Sequence, residues 1–350
     1  MNVLFLVFMA IITTRVSLFV ADTAENQTAT ATPFIFSDPS FTTNFIIVIL
    51  IIILSVFGNI TILYIFYHSP LLHDVNSLLA ANLALINLLI SFFILPIILI
   101  LISQGNINNS LCRVQEFIFI LLYAASLAFT ASIAVDRCIA IINPIRYVSA
   151  VTWRKGFIAS LLIWFLPILL ATLPELNLIK NGMDILPCRT IRGLYFFNTD
   201  KNALIYGLIL SFCIVYCLII VLCYFVIFII ANRKRMALQN FSNGNSLTKS
   251  TRAAALIATS TLLCWTPITV ALTISYVHTL YRTDTVYKIS PYVLRTFTML
   301  AIAVAAVHPI ISVCTNHIIR AKFRQIFSRH HCKTCCKRHR TVIPLVLINA

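Results

Sequence analysis

Charge is scarce in this chain: only 10% of its 350 residues are charged, and ten of them are acidic. A water-soluble domain carries roughly 25% charged residues, so a fold clothed mainly for contact with water is excluded. Neither HExxH nor GxSxG occurs, and no catalytic set is expected. The eleven cysteines show no zinc-ribbon spacing and define no single disulfide framework. Inverted repeats and paired broken helices, which would mark a transporter, are also missing. The formal net charge of +16 invites a nucleic-acid partner, but the basic residues lie in short clusters between long apolar runs, which excludes one.

Those apolar runs dominate what is present. The chain is 60% hydrophobic, and a bilayer core is crossed by roughly 20 apolar residues in a helix. Candidate spans fall at Asn44–Tyr67, Ser77–Ile102, Cys112–Ile142, Gly156–Leu173, Ala203–Ala231, Ala253–His278 and Pro291–Cys314. Helices are required because lipid offers no partner for an unpaired backbone group. Pro96, Pro167, Pro267 and Pro309 are read as kinks in packed spans. The expected fold is an all-α membrane protein, a seven-transmembrane helix bundle.

Basic residues set its orientation. Arg146, Arg154, Lys155, Arg233, Lys234, Arg235, Lys249 and Arg252 share one side with the basic tail, while the other side is mixed. Lys and Arg mark the cytoplasmic face, which places the N-terminus outside. The chain then divides into a possible signal peptide (1–23), an extracellular N-terminus (24–43), the seven-span domain (44–315) and a cytoplasmic tail (316–350). Val3–Ile12 has the length of a signal-peptide core but lacks a basic flank, so a plain hydrophobic tail is the alternative. Asn26 and Asn108 head glycosylation sequons on the outer side. Asn59 heads another inside a span, where it should go unused. Cys112 and Cys188 both fall in the oxidising compartment, where a disulfide between them would pin the loop over the bundle mouth. Two unpaired thiols are the alternative.

Several motifs occur in a fixed order. The third span ends in Asp136-Arg137-Cys138, followed by Pro144 and Arg146-Tyr147. The sixth holds Cys264-Trp265-Thr266-Pro267. Gly58-Asn59, Asn82-Leu83-Ala84-Leu85 and Trp164 mark the first, second and fourth spans. This set resembles the rhodopsin-like family of G-protein-coupled receptors over roughly Phe45 to Phe327. The resemblance implies a receptor that carries binding of an extracellular ligand to heterotrimeric G proteins, with arrestin as a further partner. It implies that Asp136 and Arg137 form the switch facing the G protein, and that Trp265 and Pro267 lie under the ligand site. Without it, Arg137 reads as an interface arginine and Trp265 as a bulky core residue beside a kink.

The sequence departs from the family where polar residues join the helices. Asn87 replaces the second-span aspartate, His308-Pro309-Ile310-Ile311-Ser312 replaces Asn-Pro-x-x-Tyr, and Tyr216 occupies the place of the fifth-span proline. Tyr224 matches the family's tyrosine lower in that span. In the family the aspartate holds an allosteric sodium ion together with a serine matching Ser126. Neutral Asn87 supplies no charge, so sodium should bind weakly or not at all. Asn87 and His308 are expected to form a neutral pair, or to be satisfied singly in the core. Ser312 is too short to replace a tyrosine that swings inward on activation. The sixth span starts Leu247-Thr248-Lys249-Ser250-Thr251-Arg252, without an acid for Arg137. The first change weakens the active state and the second raises basal activity. A non-signalling decoy or dimer partner of the same fold is therefore the alternative function.

For the ligand, the family comparison excludes more than it assigns. The retinal-binding lysine of opsins falls at Ile302, and the aspartate of amine receptors falls at Phe119. Glu116, Phe119 and Tyr123 share one helical face; with Gln115, Tyr276, Tyr292 and Arg295 they form a candidate pocket for a peptide or small amphiphile, or else a belt of interface anchors. After the seventh span, Asn316–Phe327 reads as an amphipathic helix on the inner leaflet. Cys332, Cys335 and Cys336 follow among basic residues and are candidates for palmitoylation, with attraction to anionic membrane lipids. The neighbouring histidines make a metal site the alternative, though the spacing suits no standard zinc site. No cofactor is expected.

Overall fold

The computed structural model describes residues 39–69, 74–98, 109–181, 203–237, 245–281, 291–316 and 318–326, and among them every regular element is a helix. In chain order they are α1 (Pro39–Tyr67), α2 (Val75–Leu89, continuing through a π-helical turn at Ile90–Ile94 to 98), α3 (Asn109–Ile142), α4 (Pro144–Ala150), α5 (Trp153–Asn181), α6 (Ala203–Ala237), α7 (Asn245–Tyr281), α8 (Pro291–Thr315) and α9 (318–326). Seven of these, all but α4 and α9, carry a stretch long and apolar enough to cross a bilayer. The seven expected spans are present.

Burial ranks the spans by role. Among the seven spanning stretches, that of α3 is the most buried and that of α6 the least. α3 is the axis, packed against α2, α5, α6 and α7. α6 is apolar all round, and Leu218, Val221, Leu222, Phe225 and Phe228 remain outside the core, as on a helix facing hydrocarbon. Pro96 explains the π turn. It has no N–H to give, and just ahead of it the ladder widens so that the Leu95 N–H reaches back to the Ile90 carbonyl.

Small and polar residues bring the helices into register. A Cβ on Gly58 would sit 2.6 Å from Pro309 Cβ, so only glycine lets α1 approach α8 this closely. That approach allows the Asn59 amide to donate to the Ala305 carbonyl at 3.0 Å. The Trp164 indole donates to Asn82 Oδ1 at 3.0 Å and ties α5 to α2.

Two features frame the inner end. α4 begins with Pro144 at its first turn, a position where a missing N–H costs nothing. Asn316 caps α9, its Oδ1 accepting the N–H groups of Ile318 at 3.0 Å and Ile319 at 3.3 Å. Ile319 with Phe323 and Ile326 packs on Ile65 and Phe66 of α1, while Lys322 and Arg324 stay exposed. Within the expected amphipathic stretch Asn316–Phe327, the described helix covers 318–326, with Asn316 as its cap.

Candidate functional site

Buried polar side chains form a chain across the middle of the bundle. Asn59 donates to Ser55 Oγ at 3.1 Å, and Ser91 donates to the Asn87 carbonyl at 2.8 Å. The Asn87 amide lies 3.4 Å from Asn59 Oδ1 and 3.3 Å from His308 Nδ1. On the other side of the ring, His308 Nε2 lies 3.1 Å from Thr261 Oγ1. The Thr261 hydroxyl proton is committed to the Ile257 carbonyl at 2.9 Å, so the histidine must donate from Nε2 and accept at Nδ1. One neutral tautomer therefore connects α2, α8 and α7. The expected Asn87–His308 pair exists, and Thr261, which the sequence reading did not single out, extends it to the sixth span.

The same device recurs two turns outward. The Thr269 hydroxyl donates to the Trp265 carbonyl at 2.8 Å, so the Tyr123 hydroxyl beside it acts as donor to Thr269. The Tyr123 ring stacks on Trp265 with centroids 4.3 Å apart, and Phe119 meets Trp265 edge-on at 6.2 Å. Tyr123 and Trp265 are buried, and Phe119 is partly covered. They make an aromatic floor joined to the helix turn that contains Pro267. Above it, Tyr206 of α6 donates to Glu116 Oε1 at 2.8 Å, and the Tyr276 hydroxyl presses on Gly207 where a Cβ would collide. Gln115 is buried and its Oε1 has no partner among the described residues.

At the inner end, Asp136 and Arg137 are both buried. Arg137 Nε donates to Asp136 Oδ2 at 3.0 Å, and the Tyr147 hydroxyl donates to Asp136 Oδ1 at 2.7 Å. Burial, and then the bond to Asp136, hold the Tyr147 hydroxyl above the usual phenol range, so it remains a donor at neutral pH. α4 thereby fastens onto the Asp-Arg pair. The Tyr224 hydroxyl is buried without a hydrogen-bond partner among the described residues. Ser312 does not reach toward it, because its hydroxyl donates to the His308 carbonyl of its own helix at 2.9 Å. A cavity of about 60 Å³ lies beside Ser312, walled by Asn76, Ser77, Ala254, Ile257 and Asn316.

Comparison with known proteins fits this geometry. The profile of the 7 transmembrane receptor (rhodopsin family) matches residues 58–311. The chain belongs to the rhodopsin family of seven-transmembrane receptors. It is 24% identical over 302 residues to the histamine H2 receptor of Homo sapiens, covering 83% of this chain and 79% of that one. It is 23% identical over 290 residues to the C-C chemokine receptor type 8 of Homo sapiens, covering 80% and 77%. With the neuromedin-K receptor of Oryctolagus cuniculus it is 26% identical over 286 residues, 79% of this chain and 59% of the relative. The chain is thus a G-protein-coupled receptor for an extracellular ligand and a multi-pass protein of the plasma membrane.

Within this receptor the structure brings Asn59, Asn87 and His308 into one polar cluster, and Phe119, Tyr123 and Trp265 into another group. The Ser126 hydroxyl and Asn87 Oδ1 are buried without partners among the described residues. Both are neutral, so the residues in the place of the family's sodium site do not fit a cation that needs a carboxylate. Cys112, Tyr292 and Arg295 lie in helices, but their side chains are outside the described residues. Cys188, Asn26, Asn108, Cys332, Cys335, Cys336 and the segment 1–23 also lie outside them. Tyr147, Thr261 and Thr269 were not assigned roles from sequence. Only Tyr147 carries a signal there, the Arg-Tyr pair that follows Asp136-Arg137.

Proposed function

We propose that this receptor signals, with its sixth span held by two threonine latches and released by a ligand in the outer half of the bundle. The carrying observation is the Asn87–His308–Thr261 chain. If the altered motifs of the second and seventh spans were merely decayed, nothing would require a fixed histidine tautomer joined at both ring nitrogens. Arg137, held by Asp136 and Tyr147, is the group freed for the G protein's C-terminal helix when the inner end of α7 moves outward. Trp265 and Pro267 pass the motion from the floor, and Pro309 with Ser312 forms the end of the relay, with Tyr224 packed against Ala131 and Ala258.

The ligand is a peptide or small amphiphile held by Glu116, Phe119, Tyr123 and Tyr276, with Gln115, Tyr292 and Arg295 at the rim. Cys112 and Cys188 form the disulfide over the mouth, and Asn26 and Asn108 carry glycans. Residues 1–23 serve as the signal peptide. Cys332, Cys335 and Cys336 are palmitoylated, holding α9 against anionic lipid, and arrestin shares the inner face with the G protein. The relatives, named for histamine, a C-C chemokine and neuromedin-K, leave the ligand class open, since those three differ in kind.

The test is basal and ligand-stimulated turnover of a full set of Gα subtypes in cells expressing the chain, with Arg137→Ala as the control. Turnover above untransfected cells that the variant abolishes is expected. Normal surface expression with no turnover of any subtype, basal or stimulated, would instead establish the decoy reading, which the short Ser312 favours.

A further inference from the structure

Two thiols meet near the inner end of the bundle. Cys138 of α3 is buried and Cys223 of α6 is half-buried, and both are free cysteines. Their side chains lie within hydrogen-bonding reach of each other, in a small apolar group with Ile141, Ile227 and Ile230. Cys138 stands about 6 Å from the inner end of the spanning stretch Val114–Ile142. On that side thiols are kept reduced, and a disulfide, when it forms, is usually transient and redox-sensing. The neighbours give the place its weight. Cys138 directly follows Arg137, and Cys223 directly precedes Tyr224, which packs in the same group. Cys213 and Cys217 also interact, but both belong to α6, so a bond between them would join no two helices.

We infer that Cys138 and Cys223 form a reversible oxidation site, whose disulfide fastens α3 to α6 beside Arg137. The oxidant is a small peroxide. The sulfur of Cys223, the more exposed of the two, takes up one peroxide oxygen as the O–O bond breaks. This leaves a sulfenic acid and releases one water, which carries off the Cys223 thiol proton. The Cys138 sulfur then attacks that sulfur. The S–S bond forms, the S–O bond breaks, and a second water leaves with the Cys138 proton. Two electrons have passed from the thiols to the peroxide, and the product is a neutral bond suited to an apolar site. Because it joins two helices, it holds the packing described here, in which Arg137 is bound to Asp136 and Tyr147 fastens the same carboxylate. Oxidation therefore opposes the release of Arg137 and lowers G-protein turnover. That consequence rests on the signalling reading given above, whereas the bond itself does not.

The test uses the full-length receptor in washed cell membranes, treated with hydrogen peroxide at levels that oxidise other thiols of the chain. Free thiols are capped with N-ethylmaleimide, and the protein is digested without reduction for mass spectrometry. A cross-linked peptide joining Cys138 to Cys223, lost on adding dithiothreitol, is expected. The oxidised receptor should melt several degrees above the reduced one, as when a disulfide closes a long loop. Turnover, measured with fresh G protein added after the peroxide is removed, should fall and recover with dithiothreitol. Cys138→Ser and Cys223→Ser should each abolish the cross-link and both shifts, while Cys217→Ser retains them. If a serine variant fails to fold, the cross-link in the unaltered receptor still decides. Cys138 and Cys223 left unlinked while other thiols oxidise overturn the site, and a cross-link that leaves the melting temperature unchanged overturns the fastening. A cross-link that raises the melting temperature but leaves measurable turnover unaltered overturns the restraint on Arg137. The same cross-link in a receptor that turns over no Gα subtype, oxidised or reduced, upholds the site and overturns the signalling reading.

Discussion

The two threonines of the sixth span make the most instructive comparison in this receptor. Thr261 and Thr269 each donate to the carbonyl four residues back and each accept a bond from another helix. They lie eight residues apart, about 12 Å along the helix. The inner one is held by His308 of α8 through a buried polar chain. The outer one is held by Tyr123 of α3 within an aromatic floor. A hydrogen bond between neutral groups nets only about 0.5–1.5 kcal/mol, whereas an orphaned buried group costs about 1–3 kcal/mol. The latches therefore differ less in strength than in what can reach them. The outer one borders the ligand's side of the bundle, and the inner one can be released only by movement of the helices themselves.

Breaking the inner latch at its centre should have the largest effect. His308→Ala leaves the Asn87 amide one acceptor short and removes the donor to Thr261. A fall in the melting temperature of the solubilised receptor and a rise in basal G-protein turnover are expected together. Unchanged stability would mean that the polar chain is not closed. Separating the two latches is the next test. Thr261→Val keeps the side-chain shape and removes about 1 kcal/mol of bonding, which shifts a two-state equilibrium about fivefold and should raise basal turnover by that order. Thr269→Val should change ligand potency more than basal turnover, measured by concentration–response curves on the same cells. Equal effects of the two on both readouts would erase the distinction drawn here.

A smaller effect is expected at the Asp-Arg pair. Tyr147→Phe removes one of the donors to Asp136 and should raise basal turnover by less than Thr261→Val, because Arg137 still holds the same carboxylate. The smallest is no effect at all. Agonist affinity should be the same in sodium and in an organic cation of equal ionic strength, since Asn87 supplies no charge. A sodium-dependent loss of agonist affinity would show that the neutral cluster binds the ion after all.

The bundle was legible in the sequence because lipid imposes a simple rule: long apolar runs must be helices, and basic loops fix their direction. The Asn87–His308 contact was one of two open readings, because both replacements fall where polar residues join the helices in the family. Thr261 and Thr269 were not, because a threonine in an apolar helix ordinarily bonds its own backbone, and nothing in the residue order reveals that a second helix shares its oxygen. Tyr147 stands in a motif that gives it no role, since the turn made by Asn143 and Pro144 that brings α4 back to α3 is a tertiary fact. Glu116 was one candidate pocket residue among several. The bond from Tyr206, ninety positions along the chain, shows it facing α6.

The central claim is that His308 and Thr261 act as one latch on the sixth span. A double-mutant cycle on basal G-protein turnover, using His308→Phe and Thr261→Val singly and together at matched surface expression, tests it most directly. The account predicts that each single change raises turnover and that the double variant goes no higher than the larger single effect, because both break the same bond. Additive increases would contradict it, as would turnover that neither substitution alters.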